Sequence, residues 1–196
     1  MMRLRPAAGI FPLITLLCAV CGCADKPART PVPLPYGYQR PLLLDSVYTV
    51  ADSLPGLFAV NAGARVERLP SSHPSSVQAD IRYDAYGATL HLTFTDVDSL
   101  TASGVVANRT ERMALNLADN FATVTTVQPS AQSPYTSTIM LSTGRIPTPV
   151  QLLCVSPHLV VSGALQFDSP QFAPDSVMPV LNAVVSDIQY AAARLR

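Results

Sequence analysis

The sequence predicts an α+β fold in which an antiparallel sheet, built from a hairpin and a meander, is covered by one central and one C-terminal helix. Two alternating segments over residues 77–94 predict the hairpin, and four short apolar segments bounded by proline or glycine predict the meander. Two stretches with an apolar residue every three to four positions predict the helices. At 196 residues and 48% hydrophobic, the chain suits one core rather than two.

The hairpin and the first helix follow one another along the chain. Turn residues 84–87 separate the two alternating strands, whose inward residues are Val77, Ala79, Ile81 and Tyr83, then Ala88, Leu90, Leu92 and Phe94. The helical period then begins after Asp96 or Asp98, either of which can cap the first turn. The predicted apolar face of this helix is Val106, Thr110, Met113, Leu117 and Phe121.

The meander and the last helix complete the predicted domain. Strands are expected over residues 122–128, 136–142, 150–156 and 158–167, and their short connections favour antiparallel neighbours. The final helix begins near Asp175, with Pro179 placed in its first turn, where a missing N–H is tolerated. Its predicted apolar face is Val177, Val180, Leu181, Val184, Ile188, Ala191 and Leu195.

The N-terminus has the pattern of a lipoprotein signal peptide over residues 1–22. Arg3 and Arg5 precede an apolar run too short to span a bilayer comfortably, and the small residue Gly22 stands directly before Cys23. We therefore expect cleavage before Cys23 and lipidation of its thiol. An uncleaved anchor or a free secreted protein are the alternatives, and both also place the domain outside the cytoplasm. The expected location is the outer membrane, facing the periplasm.

Residues 23–35 combine the lipidated cysteine with a proline-rich tether. Proline occupies positions 27, 31, 33 and 35, and such a segment is extended and semi-rigid. Residues 36–196 are then expected to form a single α+β domain.

Without Arg3 and Arg5 of the leader, the chain has 11 basic and 13 acidic side chains, and the arginines are scattered among aspartates. This balance argues against nucleic acid as a partner.

The sequence carries no catalytic or metal-binding motif, so we predict no enzyme, no metal site and no cofactor. Cleavage would leave Cys154 as the only free thiol, in an apolar segment typical of a core cysteine.

The three histidines lack the spacing of metal ligands. His91 is expected to pair across the hairpin with Asp80 or Arg82, and Ser71 or Ser72 beside His73 lacks the third group of a catalytic triad.

The entry segment 36–40 has the composition of an interface anchor. Tyr36 and Tyr38 offer large rings with polar tips, Arg40 adds planar donors, and Gly37 permits a sharp turn or a close approach. We expect these residues to dock a partner. The alternative is that Tyr38 and Arg40 lay the chain along the domain's own sheet and seal its edge.

Five motifs in order resemble the gliding-motility lipoprotein D family (GldD-like) of Bacteroidota. They are Pro33, Pro35, Gly37, Tyr38 and Arg40; Ala88, Thr89, His91, Leu92, Thr93 and Phe94; Ser133-Pro134-Tyr135; Gly163-Ala164-Leu165 with Phe167; and Pro174-Asp175-Ser176 with Pro179-Val180. The chain departs from the family pattern at Leu34, Tyr36 and Ser162, where basic residues are expected, and it lacks an expected tryptophan before the hairpin.

The resemblance implies a non-enzymatic lipoprotein that supports gliding motility and the assembly or stability of the type IX secretion machinery. Its partners would be the membrane, through the lipid anchor, and envelope proteins. The alternative is a periplasmic module that binds a small ligand or a lipid in a cavity between sheet and helices. A pocket lined by convergent polar groups would favour that alternative, and an exposed aromatic patch over a closed core would favour the first.

Overall fold

A computed structural model describes residues 41–71, 73–117, 122–142, 144, 146–169 and 174–196. The predictions for the leader, for Cys23, for the tether and for the entry segment fall outside these residues. Among the residues described, no helix is long and apolar enough to cross a membrane.

Nine strands and two helices follow one another along the described chain. In order they are β1 Tyr48–Val50, β2 Ala59–Asn61, β3 Arg65–Leu69, β4 Ser76–Tyr83, β5 Ala88–Asp96, α1 Ala102–Leu117, β6 Ala122–Val127, β7 Thr136–Ser142, β8 Val150–Val155, β9 Leu159–Phe167 and α2 Pro174–Ala192. Short 3-10 turns lie at Pro55–Leu57 and Asp84–Tyr86. The predicted hairpin is β4–β5 and the predicted meander is β6–β9, so both are confirmed.

Seven strands form one sheet in the order β3-β4-β5-β9-β8-β7-β6, and every neighbouring pair is antiparallel. Helix α1 carries the chain from β5, in the middle of the sheet, to β6 at its far edge. The meander then returns strand by strand until β9 lies beside β5. Strands β1 and β2 form a separate two-stranded hairpin.

The two helices cover opposite faces of the sheet. Successive residues of a strand point to opposite faces, so Leu152 and Leu153 of β8 enter different cores. Leu152 belongs to the large core, which also contains Val184 and Ile188 of α2. Leu153 belongs to a smaller core with Met113 of α1. The α+β prediction of a sheet covered by a central and a C-terminal helix is therefore confirmed.

Helix α2 buries the face that its sequence period predicts. All seven residues of that face are buried: Val177, Val180, Leu181, Val184, Ile188, Ala191 and Leu195. The placement of Pro179 in the first turn is wrong, because α2 begins at Pro174 and Pro179 is its sixth residue. Its missing N–H therefore removes one hydrogen bond from the second turn.

Helix α1 follows its predicted face except at one position; Phe121, the last residue of that face, lies outside the described residues. Met113 is buried and Val106 and Leu117 are half-buried, but Thr110 is exposed and Arg109 lies half-buried in its place. The reason lies in β5, which turns the polar side chains of Thr93 and Thr95 toward α1 and so accommodates a polar residue there. The helix follows a cap at Asp98, whose carboxylate accepts hydrogen bonds from the N–H groups of Leu100 and Thr101 at 3.0 and 2.9 Å.

Strands β1, β2 and β3 were not predicted from the sequence. They are three to five residues long, which is too short to show alternation, and Pro55, Gly56 and Gly63 interrupt the segment. Their positions depend on tertiary contacts: Leu54, Phe58 and Val60 all enter the large core.

Close packing at the centre of the sheet predicts that Gly163→Ala is destabilising. A Cβ at Gly163 would lie 2.6 Å from Leu92 Cδ2 and 3.0 Å from the carbonyl oxygen of His91. We expect the substitution to lower the free energy of unfolding by about 1–3 kcal/mol.

The matched control is Gly104→Ala on exposed α1, where a Cβ would meet no atom within 4 Å. It should stabilise the protein by about 0.5–1 kcal/mol, because alanine favours the helix over glycine. Denaturant unfolding followed by circular dichroism measures both changes. Equal stabilities of the two variants would contradict the packing described for β9.

Candidate functional site

The residues predicted to carry function are not among those that the structure describes. Cys23, Tyr36, Gly37, Tyr38 and Arg40 all precede Pro41, where the description begins. Lipidation of Cys23 and docking by the entry segment therefore remain predictions.

The histidines are not brought together. His91 lies opposite Asp80 in the β4–β5 pair, and its Nδ1 is 2.7 Å from Asp80 Oδ1, so the predicted cross-strand pairing is confirmed. His73 Nδ1 lies 2.9 Å from Ser75 Oγ in an exposed turn. Among the described residues, no group of three or more histidine, cysteine, aspartate or glutamate side chains could hold a metal ion.

Cys154 is a core residue, as predicted. Its side chain is fully buried in the large core, and burial raises the pKa of the thiol to about 12. The reactive thiolate is therefore scarcely populated at neutral pH, which argues against a nucleophilic role.

A buried carboxylate joins the β1–β2 hairpin to α2. Asp187 of α2 is 8% exposed, and its Oδ1 accepts hydrogen bonds from the Tyr48 hydroxyl at 2.9 Å and from Asn61 Nδ2 at 3.4 Å. A hydrogen bond from Tyr83 adds to them. Burial raises the pKa of Asp187 above its ordinary value, and the three hydrogen bonds oppose that rise because they favour the charged form.

Beside this carboxylate, an aromatic and basic surface reaches solvent. The Tyr48 and Tyr190 rings stack with centroids 3.8 Å apart, and the Arg194 guanidinium lies 3.7 Å above the centre of the Tyr190 ring. Val50 and Leu57 extend the surface with exposed apolar side chains. We call these five residues the hairpin surface; all of them border a depression of about 360 Å³.

Among the described residues, strand β1 pairs on one side only, with β2, and its other edge lies next to the hairpin surface. The Ala62 N–H donates to Val47 O, and the Ala51 N–H donates to Phe58 O, so the odd-numbered residues of this segment bond to β2. Because alternate residues of an antiparallel strand point their backbone groups to opposite sides, those of Tyr48 and Val50 face away from β2. This edge can accept an added strand.

Leu57 is an exposed leucine with a strained backbone conformation. Its φ is +54°, in the left-handed region that a bulky residue rarely adopts, and its side chain is 48% exposed. The preceding Gly56, at φ +72°, has its backbone oxygen bonded to the N–H of Arg196. Strain at an exposed apolar side chain points to a role outside the core.

A polar groove lies on the opposite side of the sheet, between α1 and the β4–β5 hairpin. It has a volume of about 560 Å³ and is bordered by Arg109 and Arg112 of α1 and by Thr93 and Thr95 of β5. No pattern in the sequence predicts this groove, because the two arginines come together with polar strand residues only once α1 is placed over β5.

The hairpin surface also escaped the sequence prediction. Tyr48 and Tyr190 are far apart in the chain, and no motif links them. A partial signal was available in α2, where Asp187 lies among the buried residues Val184, Ile188 and Ala191. A charged residue is rarely buried unless it is paired, so its place on an apolar helix face predicts a hydrogen-bonding or ion-pair partner.

The hydrogen bond from the Tyr48 hydroxyl to Asp187 predicts that Tyr48→Phe is destabilising. At neutral pH we expect the free energy of unfolding to fall by about 1.5–3 kcal/mol, the usual contribution of a hydrogen bond to a charged group. The loss should be smaller in an Asp187→Asn background, because the amide oxygen still accepts a hydrogen bond but carries no charge.

The sign of the pH dependence follows from the raised pKa of Asp187 in the folded protein. The folded state retains this proton more tightly than the unfolded chain, so wild type loses stability relative to Asp187→Asn as pH rises from the ordinary carboxyl pKa through the folded value. Urea unfolding at a series of pH values tests this. A constant difference between the two proteins across that range would contradict it.

Comparison with known proteins agrees with the resemblance drawn from the motifs. A family model described as gliding motility lipoprotein GldD matches residues 28–193, a range that contains every strand and helix described above. No curated protein and no solved structure matches the chain. The chain therefore belongs to the gliding motility lipoprotein GldD family, whose members are lipoproteins of the cell envelope.

Proposed function

We propose that this protein is a non-enzymatic lipoprotein that supports the assembly or stability of the gliding motility and type IX secretion machinery by binding a partner protein. The observation that carries the proposal is the hairpin surface. Two stacked tyrosines, an arginine and two exposed apolar side chains have the composition of binding hot spots, in which Tyr and Arg are enriched.

The partner that best fits this surface is an extended polypeptide segment. The outward backbone groups of Tyr48 and Val50 offer hydrogen bonds to an added strand, and the rings and apolar side chains beside them offer pockets for its side chains. Arg194 and Arg196 border the same depression, so an acidic residue in the segment would be favoured.

We also propose that the entry segment, with Tyr36, Gly37, Tyr38 and Arg40, contacts an envelope partner. The residues that follow it are unusually apolar for a surface: Leu42 is 89% exposed, and Leu43 and Val47 are exposed as well. Exposed apolar residues concentrated in one part of the chain are typical of interaction sites. Tyr38 and Arg40 would then contact the partner rather than seal the domain's own sheet.

For attachment, we propose that residues 1–22 are removed, that Cys23 is lipidated, and that residues 23–35 tether one domain, residues 36–196, to the membrane. Membership of a lipoprotein family supports this arrangement. The outer membrane, with the domain facing the periplasm, is the proposed location.

The alternative of a small-ligand module has support in one feature, the polar groove beside α1. The apolar strands that suggested a lipid cavity border a depression of about 210 Å³ on the α1 side of the sheet, where Gln151 and Ser162 are among the lining residues. Cys154, Val161 and Leu165 pack in the large core under α2. A small ligand would therefore bind on the α1-facing side of the sheet, and the hairpin surface would remain free to bind a protein.

The hairpin surface predicts that Leu57→Asn separates function from stability. Asparagine tolerates the left-handed conformation, so the variant should be as stable as wild type or more stable, by up to about 1–2 kcal/mol. In a gliding strain that carries it as the only copy, colony spreading should fall, and so should copurification with known components of the machinery.

The control is Leu115→Asn on α1, which removes a leucine that is 71% exposed on the other side of the sheet. It should leave spreading and copurification unchanged. Normal spreading and copurification of Leu57→Asn would refute the proposed docking role.

Lipidation predicts that Cys23→Ser abolishes incorporation of labelled fatty acid and releases the protein from the membrane fraction. The reason is that thiol acylation of Cys23 supplies the proposed membrane anchor. Cys21→Ser is the matched control and should keep both the label and the membrane association. Undiminished labelling of Cys23→Ser would refute the assignment.

A further inference from the structure

The groove between α1 and the β4–β5 hairpin is built almost entirely from polar side chains. Its floor is the α1-facing side of the sheet, where Ser76 lies opposite Thr95 and Gln78 opposite Thr93. One wall is α1, which contributes Asn108, Arg109 and Arg112, and the turn at His73 and Ser75 closes one end. Hydroxyl and amide groups from three elements therefore converge on one space.

The two arginines of this groove are not neutralised within the described part of the chain. Arg65 and Arg82 pair with Asp84, and Arg194 lies on Tyr190, but neither Arg109 nor Arg112 has a hydrogen bond or ion pair to any described residue. Asp96 also borders the groove, at the exposed end of β5, and makes no ion pair with them. Two cations three residues apart on a helix thus share one partly closed space.

Holding these charges together is unfavourable for the isolated protein. Burial, and then repulsion by Arg112, lowers the pKa of Arg109, so the charged form is less well solvated there than in water. At the groove floor, the Thr95 hydroxyl oxygen is buried and has no hydrogen-bond partner among the described residues. Neighbouring atoms enclose this oxygen, so a ligand in the groove would bond to the two arginines rather than to Thr95.

We propose that this groove binds the phosphate group of a small hydroxylated molecule. Guanidinium groups match phosphate oxygens in planar, paired hydrogen bonds, and two of them can bind one phosphate group, whether it is a monoester or a diester. The threonine, serine and amide side chains suit hydroxyl groups on the rest of the ligand. The volume of about 560 Å³ is in the range of small-ligand sites and favours a small molecule over a folded partner.

The phosphate could belong to a soluble metabolite or to a lipid headgroup, and titration separates the two. The full chain in phosphatidylcholine nanodiscs is titrated with glycerol 3-phosphate, with a short-chain soluble phosphatidylglycerol and with glycerol as the neutral control. Binding of glycerol 3-phosphate alone assigns a soluble ligand, and tighter binding of the phosphatidylglycerol assigns a headgroup. Either result supports the proposal, provided that glycerol does not bind.

The test variant is Arg109→Gln with Arg112→Gln, which should weaken binding of the phosphate ligand by about tenfold or more, as expected for lost hydrogen bonds to a charged group. Arg65→Gln with Arg68→Gln removes the same charge from exposed positions of β3 outside the groove and should leave affinity within about twofold. Arg112→Gln alone changes an exposed side chain, so it should fold normally and still weaken binding.

Melting temperatures, measured for every variant, establish that each protein is folded. The proposal is overturned if wild type binds neither phosphate compound, or if the folded Arg112→Gln protein binds them as tightly as wild type. Equal weakening by the Arg65 and Arg68 control would also overturn it, because the effect would then be one of net charge.

Discussion

The pairing of β5 with β9 determines how the rest of this molecule is arranged. Its register runs from Ala88 opposite Phe167 to Asp96 opposite Leu159, and it joins two meanders that are separated along the chain by α1. This pair joins the two halves into one sheet. Helix α2 covers one face of that sheet and helix α1 covers the other. The hairpin surface and the polar groove therefore lie on opposite sides and can be altered independently.

Local patterns predicted the β4–β5 hairpin, the meander and both helices, whereas long-range contacts decided their arrangement and the positions of β1 to β3. The alternation of Ile81 and Leu90 with polar neighbours predicted the hairpin, and the spacing of Val184 and Ile188 predicted the buried face of α2. The β5–β9 pairing could not be inferred, because strand partners this far apart leave no local signal. The predicted buried face of α1 was wrong at Thr110, which is exposed. The polar strand beneath the helix changes which of its side chains turn inward.

The candidate sites were harder to predict than the fold, because each combines side chains from distant segments. Tyr48 stacks on Tyr190, and Asp187 joins both hairpin and helix, yet none of these residues belongs to a recognisable motif. Arg109 and Arg112 looked like scattered surface charges until β5 was placed beneath them. His91 was predictable for the opposite reason, since its partner Asp80 lies on the adjacent strand of a local hairpin.

The central claim is that the hairpin surface contacts a protein of the motility machinery in the envelope. It is tested most directly by a photoreactive phenylalanine analogue at position 50, with position 115 as the control in a second strain. Illumination of gliding cells should yield one discrete adduct from position 50, identified by mass spectrometry as a component of that machinery, and none from position 115. The same adducts from both positions, or none from position 50, would contradict the account.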